Sequence, residues 1–350
     1  MNKKNITFSD IAEYTHFSKT TISRYFNNPD SLTLENQQII ADALEALDYK
    51  ENKVARILAN GKTEFIGIII PNLYMHYYSA ILDQILSTYE KYGYKFLVFT
   101  VKDNEETERK YIQELLAYKI EGMIILSHNL TSKELASYNI PIVAIEREDK
   151  HICSVNTDNY MGGVQATSLL AKSGAEILIH INADLSPEVP SYERIHGFLN
   201  TCAEQNLPYE LILTDTGHSY EESIDVFYRL LDEIDQKYKD KVKGLFLPND
   251  TFSNIILNRL FQRYGKLPDD YKIVGFDDSP ISRESVIPTS TVGQQIDKIA
   301  DTALQILSER IKENHKRKPR TFLEPVHKVI TPILLKRETT KCATTATSAG

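Results

Sequence analysis

The stretch TFSDIAEYTHFSKTTISRYFN, residues 7–27, decides the reading of this chain. Thr7 is a good helix N-cap, and Asp10 three residues on completes a capping box. Phe8, Ile11 and Ala12 fall on one side of the helix that follows. Ser18 opens a second helix, running to about Phe26, whose apolar side is Ile22, Tyr25 and Phe26. Asn27-Asn28-Pro29-Asp30 then breaks it. Two short amphipathic helices joined by a tight turn are the layout of a helix-turn-helix.

Working outward, Thr33 caps a third helix carrying Ile39, Ile40, Ala43, Leu44 and Leu47 at helical spacing. Residues 52–60 are amphipathic for about two turns, too short to be stable alone in water, and end at Gly61. This segment reads as a linker. From residue 65 the texture changes. Apolar runs of strand length recur at 65–70, 95–101, 122–126, 141–145, 176–181, 211–214, 244–247 and 272–276. Amphipathic helices lie between most of them, at 78–89, 107–118, 161–172, 192–205, 221–235 and 252–264. Continuous apolar strands alternating with helices predict parallel sheets covered on both faces, and there are too many strands for one tidy sheet. Two α/β lobes are expected. Ligands in such folds bind at the carboxyl ends of strands. Those ends carry Pro71-Asn72-Leu73-Tyr74, Glu146-Arg147, Pro248-Asn249-Asp250 and Phe276-Asp277-Asp278, a polar set suited to a ligand with several hydroxyls.

The 350 residues suffice for two or three compact units. An apolar content of 42% and a charged content of 25% are those of a globular chain. No run of about 18 apolar residues exists, so no membrane span is expected, and no signal-peptide core follows the basic start. Cys153, Cys202 and Cys342 are far apart and odd in number, which predicts neither a metal site nor a disulfide framework and fits a reducing cytoplasm. The net charge is −8, but residues 1–62 hold eight Lys/Arg and eight Asp/Glu, so the deficit lies after them. Which face the charges occupy decides whether nucleic acid is a partner. No phosphate loop, nucleophile elbow or His-Glu-x-x-His pair is present, no cofactor is expected, and an enzyme has no visible site. The tail from Glu338, rich in Thr, Ala and Ser, is expected to be disordered and offers no coiled coil.

Residues 7–62 closely resemble the headpiece and hinge of the LacI/GalR family of bacterial transcription regulators. The resemblance continues through Ile66-Gly67, Asp158-Asn159, Arg194-Ile-His-Gly197-Phe198, Asn249-Asp250, Val274-Gly-Phe-Asp-Asp278 and Ser290-Thr-Val-Gly-Gln294 to Lys336-Arg337-Glu338. It implies a helix-turn-helix headpiece at 1–50, a hinge helix at 51–62, and a two-lobed core like periplasmic binding proteins at 63–337. The implied N-lobe is about 63–158 and 291–322, the C-lobe about 159–290 and 323–337, with a disordered tail at 338–350. Three positions depart from the family pattern. His16 stands where the turn usually has Gly, Glu51 replaces the Pro before the hinge, and Ser219 replaces a large aromatic that walls the pocket, with Tyr220 adjacent.

The resemblance assigns base reading to Lys19, Thr20 and Arg24, the last reaching guanine bidentately. Phosphate contacts fall to Thr7, Ser18, Thr21, Ser23 and Asn27. The hinge residues Val54, Ala55 and Leu58 would enter the minor groove, Leu58 as a wedge that kinks the duplex. Leu58 could instead pack on the core. Two headpieces imply a homodimer on a near-palindromic operator in double-stranded DNA. Effector contacts are implied for Tyr74, Glu146, Asp158, Arg194, Asn249, Asp277 and Gln294, guanidinium and carboxylates pairing with vicinal hydroxyls. Arg194 could instead form a salt bridge, and Asn249-Asp250 could be a helix cap. The leading expectation is a cytoplasmic repressor of carbohydrate-utilisation genes, relieved by a sugar or sugar phosphate. A regulator needing a corepressor, either a purine or a phosphorylated carrier protein, is the alternative within the class. A sugar-binding transport protein is the alternative outside it.

Overall fold

A computed structural model describes residues 6–50, 62–102, 104–147, 150–184, 186–316 and 324–341. The chain divides into two compact units, Met1–Lys62 and Thr63–Gly350. The hinge positions Val54, Ala55 and Leu58 lie outside the described residues.

The first unit holds α1 (Phe8–Thr15), α2 (Lys19–Asn27) and α3 (Leu34–Ala46). Its core is Ile11, Ile22 and Ile40, one from each helix and each fully buried. Phe8 stacks on Phe26 at 5.1 Å, and Tyr49 closes against both rings. The capping carboxylate of Asp10 accepts from the Thr7 backbone N–H at 2.7 Å. Between α1 and α2 the backbone at His16 turns left-handed, with φ 59°. That conformation, which Gly adopts freely, costs another residue roughly 1 kcal/mol.

The second unit contains two six-stranded sheets. The strands are β1 (Phe65–Ile70), β2 (Lys95–Thr100), β3 (Gly122–Ile125), β4 (Ile142–Ile145), β5 (Cys153–Thr157), β6 (Ile177–Ala183), β7 (Tyr209–Thr214), β8 (Lys243–Phe246), β9 (Tyr271–Asp277), β10 (Ser290–Gly293), β11 (His327–Ile330) and β12 (Ile333–Leu335). The helices are α4 (His76–Ser87), α5 (Tyr89–Tyr92), α6 (Glu105–Ala117), α7 (Ser132–Ala136), α8 (Asn159–Lys172), α9 (Glu193–Glu204), α10 (Tyr220–Lys237), α11 (Asp250–Tyr264), α12 (Ile281–Glu284) and α13 (Ile296–Asn314). The first sheet runs β11-β5-β4-β3-β1-β2 and is parallel throughout. The second runs β12-β10-β9-β8-β6-β7, parallel except for β12.

Both sheets are covered on two faces, as their apolar strands require. One face of the first sheet packs against α4 and α13 through Ile81, Ile85, Ala303 and Leu307. Its other face packs against α6 through Ile112 and Leu115. In the second sheet α10 and α11 cover one face, α8 and α9 the other. No helix among the described residues is long and apolar enough to cross a membrane.

Two expectations are corrected. The lobes exchange strands later than the ranges given above. Ser290–Gly293 pairs with β9 and so belongs to the second sheet, while His327–Ile330 pairs with β5 and belongs to the first. The chain therefore crosses between lobes at Asp158, at Gln294-Gln295 and at Thr331-Pro332. The pairing wins because Val292 fills the core beside Phe276, and α13 carries the chain back over the first sheet. The tail is also not disordered from Glu338. Glu338–Thr340 forms a 3-10 turn in which Thr339 and Thr340 are buried. The Thr339 hydroxyl donates to the Ile273 carbonyl at 2.6 Å and accepts from the Ser290 N–H at 2.9 Å. Polar residues are buried there because each hydroxyl has a partner, Thr339 in the Ile273 and Ser290 backbone and Thr340 in the Ser290 hydroxyl at 2.7 Å.

Candidate functional site

On α2, at 100° per residue, Lys19, Ser23, Asn27, Thr20 and Arg24 span an arc of about 140°, opposite the buried Ile22. Lys19, Thr20, Arg24 and Asn27 are exposed, and Thr21 and Ser23 half-buried. The arc holds two cations and no acid. Ser18 caps the helix, its hydroxyl accepting from the Thr21 N–H at 3.1 Å and lying 2.8 Å from the Thr21 hydroxyl. Asn27 donates back to the Ser23 carbonyl at 2.9 Å. The Thr7 hydroxyl donates to Asp10 at 2.6 Å. Thr7, Ser18 and Thr21 thus have local structural work at the helix starts, while Lys19, Thr20 and Arg24 reach into solvent from one face.

In the second unit the carboxyl ends of both sheets line a cleft of about 580 Å³. Of the sequence candidates, Tyr74, Glu146, Arg194, Asn249, Asp277 and Gln294 line it, and Asp158 does not. Asp158 caps α8, accepting from the Met161 N–H at 2.9 Å, and borders a separate hollow beside Lys150 and His327. The structure corrects its place: it starts the helix that carries Asn159 and stands outside the cleft.

Arg194 is the centre of the arrangement. It sits on α9, which crosses α8 backbone to backbone at two glycines. A Cβ on Gly163 would fall 2.3 Å from the Arg194 carbonyl oxygen, and one on Gly197 2.2 Å from that of Tyr160. This approach seats the buried guanidinium over the Phe276 ring at 3.5 Å. Its Nε donates to Asn159 Oδ1 and its Nη1 to the Pro248 carbonyl, both at 2.7 Å. Among the described residues, the salt bridge considered for Arg194 is not formed. Burial lowers its pKa, against the pull of Asp277 and Glu146.

From Asn159 the network runs to Glu146, whose Oε2 accepts the Asn159 amide at 3.0 Å and whose Oε1 accepts the Thr157 N–H. The Thr157 hydroxyl donates to Gln294 Oε1 at 2.6 Å, and Gln294 Nε2 donates to Asp277 Oδ1 at 2.6 Å. Glu146 and Asp277 both sit in left-handed backbone, at φ 53° and 109°. Such strain costs of order 1–3 kcal/mol and clusters at functional sites. Burial pushes the Asp277 carboxyl up to about 7 against the opposing effect of Arg194. Asp250, behind it, is raised well above the carboxylate range by burial and by Asp277.

The neighbouring candidates separate cleanly. Asn249 is both cleft-lining and the α11 cap, accepting from the Phe252 N–H at 2.9 Å. Asp250 is buried and accepts from the Ser279 N–H at 2.8 Å. Asp278 pairs with Arg337 at 2.5 Å and Arg283 at 3.2 Å, outside the cleft. Arg147 holds the Ser127–Leu130 loop by donating to the Ser127 and Leu130 carbonyls. Ser219 caps α10, and Tyr220 packs on the second lobe's core. The aromatic lining comes instead from Tyr74, Tyr77, Tyr78 and Phe252. Sequence reasoning missed Tyr77, Lys102, His128 and Asn182. Asn182 had a readable signal, a polar residue closing the apolar run Ile177–Ile181. His180, two residues earlier, is buried against Phe246 at 4.2 Å, and burial lowers its pKa to about 3, so it is neutral.

Comparison with known proteins agrees with this architecture. Residues 63–224 match the family described as periplasmic binding proteins and sugar binding domain of LacI family, and 168–331 match a periplasmic binding protein-like domain. The ribose operon repressor of Halalkalibacterium halodurans is 27% identical, covering 96% of this chain and 97% of the relative. The sucrose operon repressor of Streptococcus mutans is also 27% identical, over 91% and 96%. Among solved structures, the Lac repressor dimer bound to operator and an anti-inducer superposes with a TM-score of 0.77 at 21% identity, covering 96% of this chain and 99% of that one. Helix-turn-helix headpiece and two-sheet cleft together define a DNA-binding transcription regulator. The two family matches together span residues 63–331, the second unit's core, and the relatives that match over nearly the whole chain are operon repressors.

Proposed function

We propose that this protein is a repressor of carbohydrate-utilisation genes, binding a near-palindromic operator as a homodimer and released when a sugar occupies the cleft. One observation carries the reading. The fixed chain from Arg194 through Asn159, Glu146, Thr157 and Gln294 to Asp277 joins both lobes across two of their crossovers. A ligand that hydrogen-bonds to Arg194 and Asp277 engages that chain and favours one arrangement of the lobes over another. Lys19, Thr20 and Arg24 read base edges, and the hinge, with Leu58 as wedge, transmits the state of the core. The operator and sugar named for the relatives motivate this reading of the chain.

The test is fluorescence anisotropy of the full chain on its own upstream DNA at fixed salt, titrated with ribose, sucrose and cellobiose. Selective loss of affinity with one sugar supports the proposal. Affinity that instead rises with a purine or a phosphorylated carrier protein replaces it with a corepressor-dependent regulator.

A further inference from the structure

One contact between the lobes lies away from the strands that cross between them. The crossovers leave β5, β10 and β11, at one side of the two sheets. Helix α4 follows β1, beyond β4 and β3 from that side, and α11 follows β8, beyond β9. There His76, the first residue of α4, meets Thr251 in the first turn of α11. The His76 backbone N–H donates to the Thr251 hydroxyl oxygen at 3.2 Å, and the imidazole Nδ1 lies 3.0 Å from the same oxygen. Met75, the residue before, packs against the hydrophobic core of the second lobe.

Each group suits the other. Thr251 is 2% exposed, so its hydroxyl depends on protein partners. Its oxygen accepts the His76 N–H, which at the start of a helix has no carbonyl within the helix to meet. Its hydrogen can go to Nδ1 when the imidazole is neutral. Burial lowers the His76 pKa, against the pull of Glu284 on α12, and favours that neutral form. Asn72 fixes the turn leading into α4, its Oδ1 accepting the Met75 N–H at 3.1 Å. Across the contact, Thr251 sits between Asn249 and Phe252, which line the cleft. The bonds to Thr251 exist only while α4 and α11 touch. They stabilise this arrangement of the lobes over any in which the two helices part.

We propose that His76 and Thr251 fasten the lobes to one another, so that making or breaking this contact shifts the balance of lobe arrangements and with it the affinity of the headpiece for DNA. The inference rests on the reading of the chain as a DNA-binding regulator controlled by its second unit. It needs no particular ligand in the cleft.

The experiment uses the full chain on its own upstream DNA at fixed salt, without added sugar. Anisotropy gives the affinity, and thermal unfolding shows that each protein is folded at the assay temperature. The proteins are wild type, Thr251→Val, Thr251→Ser, His76→Ala and the double variant of His76→Ala with Thr251→Val. Thr251→Val loses both bonds, whereas His76→Ala keeps its N–H and loses only the one at Nδ1. The expected result is a change in affinity of roughly threefold to tenfold for Thr251→Val. His76→Ala changes it in the same direction by as much or less, and the double variant matches Thr251→Val instead of adding the two effects. Thr251→Ser, which keeps the hydroxyl, retains the wild-type affinity. An unchanged affinity in Thr251→Val, even with a lower Tm, makes the contact a local one and overturns the proposal. So do effects that add in the double variant, or a Thr251→Ser that behaves like Thr251→Val. A wild type that binds its upstream DNA no better than unrelated DNA overturns the regulator reading itself, and this inference with it.

Discussion

The guanidinium of Arg194 rests on the ring of Phe276 at 3.5 Å, two buried side chains from different elements of the second lobe. Phe276 is the residue before Asp277, so the same strand end supplies both the platform for the cation and the carboxyl beside it. Arg is suited to this position because a planar guanidinium can stack and donate in its own plane at the same time. Arg194→Lys should therefore abolish the sugar response, since an ammonium keeps the charge but loses the paired bonds to Asn159 and Pro248. DNA binding without sugar should persist, and anisotropy measures both.

The crossing of α8 and α9 is as demanding as Arg194 itself. Gly197→Ala places a methyl against the Tyr160 carbonyl, 2.2 Å from its oxygen, and must push the helices apart. A destabilisation of about 1–3 kcal/mol is expected in urea unfolding, together with a weakened sugar response. An unchanged midpoint would show that the crossing relaxes freely.

Asp277 gives the protein a defined pH signature. Its pKa is raised from 3.8 to about 7 in the folded state, chiefly by burial. A raised carboxyl stabilises the fold below its unfolded pKa, and this contribution is lost as pH rises through the folded one. Asp277→Asn removes that dependence and keeps an acceptor for Gln294. The wild-type stability minus that of Asp277→Asn should fall between pH 4 and 7, by at most about 1.4 kcal/mol per pH unit. His180 opposes this trend in acid but is common to both proteins, so the difference reads Asp277 together with its effect on the neighbouring Asp250. A difference that stays flat would contradict the burial argument.

At the end of the described chain, Thr339→Val should leave the Ser290 N–H without its acceptor inside the second lobe. An unsatisfied buried donor costs about 1–3 kcal/mol. Thermal unfolding of the full chain should show a Tm lower by a few degrees, and an unchanged Tm would mean the turn at 338–340 contributes nothing.

On the face of α2 proposed to read DNA, Arg24→Ala should cost roughly 1–3 kcal/mol and relax preference at one base pair. Binding to a set of operators varied one position at a time separates this from a uniform loss, which would make Arg24 a phosphate contact.

Much of this arrangement was legible in the sequence where local rules act alone. Caps at Thr7, Ser18 and Thr33 and the spacing of Ile11, Ile22 and Ile40 define the headpiece, and long apolar runs such as Phe65–Ile70 stand out as strands. The strands that went unread are those with mixed composition, such as Cys153–Thr157 and Ser290–Gly293, because their burial comes from distant partners. The lobe boundaries failed for the same reason, since only pairing with β9 or β5 shows which sheet a short strand joins. Thr339 and Thr340 look like a solvated tail until their hydroxyls meet Ile273 and Ser290. In the cleft, residues at the ends of strong strands were readable, and Tyr77, in the first turn of a helix whose start the sequence pattern placed at 78, was not.

The most direct test of the account compares operator affinity of wild type and Arg194→Lys at one salt concentration, with and without the sugar that binds. The account requires the sugar to weaken wild-type binding by tenfold or more, a coupling of about 1.4 kcal/mol, and to leave the variant's equal starting affinity untouched. If both proteins release DNA alike, or neither does, the cleft built around Arg194 does not control the headpiece.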